Sequence, residues 1–336
     1  MAVCGHGGNL ALAAELFPGA PQPWLDLSTG LNPFAYPFQM PDEHSFTRLP
    51  DLPEALEACA ARAYEAPPPI QIVAAPGSQA LIQALPRLHR LDGKPSPRIG
   101  ILGMTYAEHA LNWRAVGARV QEDMDLDALA TMDVAIVVNP NNPDGRLLPP
   151  AALLDLAARL SKHGGLLIVD EAFMDFEAPE THFVPVMPEN GVLVLRSFGK
   201  AYGLGGLRLG FALTGPKLAA DLRAWFGPWA VSGPAIAIGR QALGDSLWLV
   251  EARKRLETMG TALDRLLCEA GFAVLGGTRL YRLVTHEKAA AWFARLGEAG
   301  IFVRRFAERP LWLRFGIPGD APALSRLAEA LKVGIR

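Results

Sequence analysis

Between residues 70 and 211, short apolar runs alternate with longer amphipathic stretches, and this alternation constrains the fold more than any other feature of the chain. The runs at 70–75, 98–102, 134–138, 166–169, 192–195 and 207–211 have the length of strands. They lack the polar–apolar alternation of a sheet with one wet face, so both faces are predicted to be buried. Between them, 78–90, 106–116 and 150–163 are predicted helices, the last opening on prolines and stopping at Gly164 and Gly165. Strands and helices in this order define an α/β fold with a mostly parallel sheet.

The texture changes after Phe226, where Gly227-Pro228 and Gly233-Pro234 punctuate the chain before a helical region reaching about Ala270. A domain junction is placed there. The expected organisation is an N-terminal arm over 1–38, a large α/β domain over 39–230 and a small α+β domain over 231–336. In the small domain, strands are predicted near 279–284, 301–303 and 311–315, with helices near 287–299 and 321–333. A length of 336 residues accommodates this, and a composition half hydrophobic and one-fifth charged is enough for a sizeable core.

Charge narrows the function. With 32 Lys and Arg against 34 Asp and Glu and no basic run, neither nucleic-acid binding nor a polybasic membrane contact has electrostatic support. A small molecule is the expected partner. No apolar run approaches the roughly 18 residues a membrane span needs. No Lys or Arg precedes the mildly apolar segment 10–17, which Glu15 interrupts, so no secretory signal is read. The three cysteines, Cys4, Cys59 and Cys268, are odd in number and scattered, which fits thiols in a reducing cytoplasm. Cys4 and His6 alone do not make a zinc site, and no metal is expected.

Nucleotide motifs fail on inspection. Gly199-Lys200 resembles the end of a phosphate loop, but Val194 stands where its first glycine belongs and Ala201 replaces the hydroxyl residue. Gly5-His6-Gly7-Gly8-Asn9-Leu10 begins as a dinucleotide fingerprint but ends in leucine, with no strand before it. What remains is a series of polar residues at the carboxyl ends of successive predicted strands, where open α/β sheets bind ligands. Pro76-Gly77-Ser78-Gln79 offers a glycine turn and a hydroxyl at a helix N-terminus, a place for a phosphate or simply an N-cap. Asn139-Pro140-Asn141-Asn142-Pro143-Asp144-Gly145 presents amides from a rigid turn, and by itself is also ordinary turn chemistry. Asp170 ends an apolar run and needs a cationic partner there unless it is solvated. Lys200, between Phe198, Ala201 and Leu204, is either a desolvated nucleophilic amine or a snorkelling surface lysine.

The order of phosphate turn, Asn-Pro-x-Gly-like turn, Asp170-Glu171-Ala172-Phe173, Ser197-Phe198-Gly199-Lys200 and Arg208 resembles the fold type I pyridoxal-phosphate enzymes of the class I and II aminotransferase superfamily. Within that superfamily, His6-Gly7-Gly8-Asn9, Leu27-Ser28-Thr29-Gly30-Leu31-Asn32-Pro33 and Arg48-Leu49-Pro50-Asp51 are similar to the L-threonine-O-3-phosphate decarboxylases of cobalamin biosynthesis. Histidinol-phosphate aminotransferases are close relatives. The resemblance runs from His6 to about Ile317.

The resemblance implies that Lys200 bonds covalently to pyridoxal phosphate and that Asp170 pairs with its ring nitrogen. It implies that Asn142 meets the phenolic oxygen, Tyr106 stacks on the ring, and Gly77, Ser78, Gln79, Ser197 and Arg208 hold the phosphate. His6, Gly7, Asn32, Arg304 and Arg314 fall at substrate positions, although either arginine without the family would read as a surface strand residue. The implied reaction is decarboxylation of threonine phosphate to (R)-1-aminopropan-2-ol O-2-phosphate by a cytoplasmic homodimer. The competing readings are amino transfer to or from a histidinol-phosphate-like compound and a catalytically silent cofactor-binding module, the latter without any helix-turn-helix extension or basic patch. Three positions depart from the family pattern. Phe173 replaces a tyrosine, which favours the decarboxylase branch; Leu49 replaces a tyrosine that reaches the neighbouring subunit's cofactor phosphate; and Gly199 replaces a Ser or Thr. At about 1 kcal/mol per hydrogen bond, each missing hydroxyl near the phosphate weakens cofactor retention by about fivefold unless another donor compensates.

Overall fold

The computed structural model describes residues 6–91 and 96–332. Cys4 lies outside the described residues. In chain order the strands are β1 (Leu25–Leu27), β2 (Gln71–Ala75), β3 (Arg98–Leu102), β4 (Arg119–Met124), β5 (Val134–Val138), β6 (Leu166–Asp170), β7 (Val192–Arg196), β8 (Gly210–Thr214), β9 (Ala273–Thr278), β10 (Tyr281–Thr285), β11 (Ile301–Phe306) and β12 (Arg309–Gly316). They form two sheets in two compact units. One unit comprises Tyr36–Asn142 and Arg146–Leu249, and the other Met1–Ala35, Pro143–Gly145 and Val250–Arg336.

The first unit holds a seven-stranded sheet in the order β2-β8-β7-β6-β5-β3-β4. Only β8 runs antiparallel to its neighbours, so the sheet is the mostly parallel one expected. Side chains alternate between faces along each strand. Val73, Ile99, Ile101, Val134, Ile136, Leu193 and Leu195 enter one core with Leu81, Leu85 and Trp113 from the helices Ser78–Leu91 and Glu108–Ala115. The helix Pro150–Ser161 packs against β6 and buries Leu153, Leu156 and Leu160. Burial on both faces is why these strands read as unbroken apolar runs.

Two differences from the sequence reading have local causes. The strand expected at 207–211 lies at Gly210–Thr214, because Gly205–Leu207 forms a 3-10 turn and Arg208 is left-handed (φ 55°, ψ 58°), a conformation that cannot continue a strand. The strand β4 was not anticipated: its Arg-Val-Gln-Glu-Asp-Met sequence sits on a sheet edge with mostly exposed side chains and carries no apolar run.

The second unit holds a five-stranded sheet, β1-β11-β12-β10-β9. Here β1 is parallel to β11 and the other pairs are antiparallel. The helix Ala289–Glu298 covers β11 and β12 and buries Trp292, Phe293 and Leu296. In the β11–β12 register Arg304 lies directly opposite Arg314. No helix among the described residues is long and apolar enough to cross a membrane.

Candidate active site

The cofactor-type residues named from the sequence all fall in the seven-stranded unit, at or just beyond strand ends. After β2 the chain turns at Gly77 (φ +84°) and enters the helix at Ser78. A Cβ on Gly77 would lie 2.8 Å from Arg208 Nη2, so only glycine lets the guanidinium approach this helix N-terminus. The left-handed turn at Arg208 aims its side chain there, and Nη1 also donates to the Gly205 carbonyl at 3.0 Å. Backbone N–H groups, a helix dipole and a guanidinium thus converge as an anion cradle. Ser197, nine-tenths buried, lies between the end of β7 and the turn Phe198–Ala201 that bears Lys200. The Gly199 departure has a steric cause: a Cβ there would sit 2.8 Å from Gly205 Cα, so a Ser or Thr would strike backbone.

Asp170 ends β6 almost fully buried, and the structure supplies its partner. His109 Nε2 is 2.9 Å from Asp170 Oδ2, while the Ala172 N–H donates to Oδ1 at 3.1 Å. The sequence reading missed His109; its only signal was its place three residues beyond Tyr106, on the helix face that also buries Ala110 and Trp113. The Tyr106 and His109 rings meet edge to face, with centroids 6.2 Å apart. Tyr106 Oη donates to Gln79 Oε1 at 3.1 Å, and Gln79 Nε2 donates to Glu108 Oε2 at 2.6 Å. The Gln79 side chain therefore orients Tyr106, which leaves its backbone N–H as its group at the helix N-terminus.

Asn142 follows β5 on a turn held by its neighbours. Asn139 donates to the Leu148 carbonyl at 3.2 Å and accepts from the Leu148 N–H at 2.7 Å, while Asn141 Nδ2 donates to the Met104 carbonyl at 3.0 Å. Lys200 Nζ lies 5.4 Å from the centroid of the buried Phe173 ring. Next to these groups is a buried charge cluster that the sequence did not reveal. Arg196 Nη2 is 3.0 Å from Glu171 Oε2, Nη1 is 3.5 Å from Asp175 Oδ1, and the Tyr64 ring lies 4.7 Å from the guanidinium carbon. Burial pushes both carboxyls above their usual range despite the arginine. Burial also works against the Arg196 charge, but Glu171 and Asp175 outweigh it and raise its pKa.

The substrate-type residues named from the sequence fall in the five-stranded unit. His6 is exposed, and the Gly7-Gly8 step lies against Ser28, whose Oγ accepts from the Gly8 N–H at 2.8 Å. Asn32 is buried and accepts from the Phe34 N–H at 3.0 Å. Arg314 is buried, donates to the Ser28 carbonyl at 3.1 Å and lies over the Tyr281 ring at 4.9 Å. Its pKa is pushed down to about 10 by burial, with the facing charge of Arg304 adding to the shift and Tyr281 and Asp26 opposing it.

Fold and site together define a known class. The chain matches the family described as aminotransferase class I and II over residues 37–331 and belongs to it, as a fold type I pyridoxal-phosphate enzyme. Among curated relatives it is 43% identical over 329 residues to the threonine-phosphate decarboxylase of Sinorhizobium sp, covering 97% of each chain. It is 42% identical over 331 residues to that of Pseudomonas aeruginosa, covering 97% of this chain and 96% of the relative. Among solved structures, the histidinol-phosphate aminotransferase of Sinorhizobium meliloti in complex with pyridoxal-5'-phosphate superposes with a TM-score of 0.79 at 20% identity, covering 96% of this chain and 94% of that one.

Proposed function

We propose that this protein is a pyridoxal-phosphate-dependent lyase that decarboxylates L-threonine O-3-phosphate to 1-aminopropan-2-ol phosphate, a step of cobalamin biosynthesis. The observation that carries this reading is the 43% identity to a threonine-phosphate decarboxylase across 97% of both chains. The residues present fit the cofactor: the Gly77–Arg208 cradle suits a phosphate, Asp170 offers a buried carboxylate, and Lys200 offers an amine on the adjacent strand end. When bound, pyridoxal phosphate supplies an electron sink for the pair released at Cα.

Each residue then has a task. Asp170, held by His109 and the Ala172 N–H, would pair with the cofactor's ring nitrogen. Arg208, Ser78, Ser197 and the N–H groups at Gly77 and Gln79 bind the cofactor phosphate. Asn142 would meet the phenolic oxygen and Tyr106 would lie against the ring. Phe173 adds no hydroxyl near that oxygen. Lys200 would hold the cofactor, and its amine would also return a proton to the substrate Cα after CO2 has left. Arg314 and Arg304 bind the two anionic groups of the substrate with His6, Gly7 and Asn32, and so orient the carboxylate for loss. Arg314 remains a cation at neutral pH even with its pKa near 10.

The chain works as a cytoplasmic homodimer. Supporting this are the exposed apolar side chains of Met40, Phe46, Leu49 and Leu52, clustered along one short segment, and the free thiols of Cys59 and Cys268. Sedimentation tests the dimer. For the reaction, purified protein with pyridoxal phosphate is given threonine phosphate and CO2 is measured, beside an amino-transfer assay with glutamate and histidinol phosphate. Stoichiometric CO2 with little amino transfer is expected; dominant amino transfer overturns the assignment.

A further inference from the structure

The buried Arg196 cluster needs an account that stability alone does not give. A buried ion pair is often no more stable than apolar side chains of the same volume, because desolvation of the charges offsets their attraction. Here one cation faces two carboxylates, with Arg196 and Glu171 wholly buried. Its position is informative. The β6–β7 ladder ends with Asp170 beside Leu195, and the Glu171 N–H gives a last backbone bond to the Leu195 carbonyl at 2.9 Å. Beyond that rung the chain leaves β6 at Asp170 for the 3-10 turn Met174–Phe176, and leaves β7 at Arg196 for Ser197 and the turn that bears Lys200. Past that rung, the Arg196–Glu171 ion pair at 3.0 Å also ties the two segments together. Glu171 is itself anchored by the Phe183 N–H at 3.1 Å, and Tyr64 closes the other side of the guanidinium.

We propose that Arg196 is a positioning residue which, through Glu171, fixes the separation of the two strand ends carrying Asp170 and Lys200. The contact is a single ion pair without hydrogen-bond geometry, and with both groups wholly buried, no water screens the attraction that sets their distance. The inference rests on the reading that Asp170 and Lys200 both engage pyridoxal phosphate. The two groups must meet opposite parts of one rigid ring, so a small error in their separation falls directly on cofactor binding.

The test uses the full-length protein stripped of cofactor and titrated with pyridoxal phosphate. Three quantities are read: the dissociation constant from visible absorbance, the pH midpoint of that absorbance, and the melting midpoint without cofactor. Glu171→Gln and Arg196→Met are expected to weaken pyridoxal phosphate by about tenfold or more and to displace the pH midpoint, with Arg196→Lys recovering part of the loss. Asp175→Asn, which spares the tie between the strands, is expected to leave the dissociation constant within about twofold of the parent and the pH midpoint unmoved. Unchanged cofactor readouts in Glu171→Gln and Arg196→Met overturn the inference whatever the melting midpoint does, and so does an Asp175→Asn effect as large as theirs. If Arg196→Met does not fold, the isosteric Glu171→Gln decides alone. A parent that gains no colour with pyridoxal phosphate overturns the cofactor reading and this inference together, whereas a coloured parent with indifferent variants overturns this inference only.

Discussion

The seven-stranded unit fastens its site groups to one another, while the five-stranded unit sets two of its own against each other. In the first, Asp170 is paired with His109, Tyr106 with Gln79, and Arg196 with Glu171. In the second, Arg304 and Arg314 are cross-strand neighbours of like charge, a pairing that Tyr281 and Asp26 partly offset at Arg314. The depressed pKa of Arg314 records mainly the cost of burying its charge, to which Arg304 adds a smaller part. Because its folded pKa lies below the unfolded one, the penalty is present at every pH below about 10 and disappears only in stronger alkali.

That contrast can be broken at several points. The largest effect is expected from Lys200→Ala, which should lower turnover by roughly 10⁴-fold and abolish the visible absorbance of the cofactor-loaded protein, with little change in melting. An unaltered visible band would remove the lysine from the site. Next, Arg314→Met should raise KM for threonine phosphate by about 10²-fold while leaving the ligand-free melting midpoint unchanged or higher. A steep fall in melting would make Arg314 a structural residue and erase the difference between the units. His109→Leu comes third. It leaves Asp170 buried without its side-chain partner, so pyridoxal phosphate affinity should fall by about tenfold, and His109→Gln, which can still donate, should fall less.

The smallest effect sharpens the comparison by pH. Burial raises the Asp175 pKa in the folded state, so its contribution to stability is fully present below the ordinary carboxyl range and is lost as pH rises through the folded value. Asp175→Asn should therefore melt slightly higher than the parent at neutral pH, with the advantage vanishing near pH 4. An advantage that grows in acid would contradict the direction of the shift.

Much of the seven-stranded unit was legible because its strands are buried on both faces and its ligand groups follow them directly in sequence. Asp170, Ser197 and Lys200 could be placed at strand ends by reading where apolar runs stop. The edge strands β4 and β9 were not legible, since one is largely polar and the other carries Gly276 and Gly277. His109, Glu171 and Arg196 were visible as residues but not as partners. Nothing in their local sequence says which buried charge will meet which.

What the sequence determined by itself was the α/β order, the family, and the kind of group offered at each strand end, because periodicity and chemical type are properties of neighbouring residues. The tertiary structure alone decided that His109 answers Asp170, that Arg196 bridges to Glu171, that Gly199 has no room for a hydroxyl side chain, and that Arg304 faces Arg314. Those are contacts between segments far apart in the chain. Their distances and burial, which set the electrostatics, exist only once the sheets have formed.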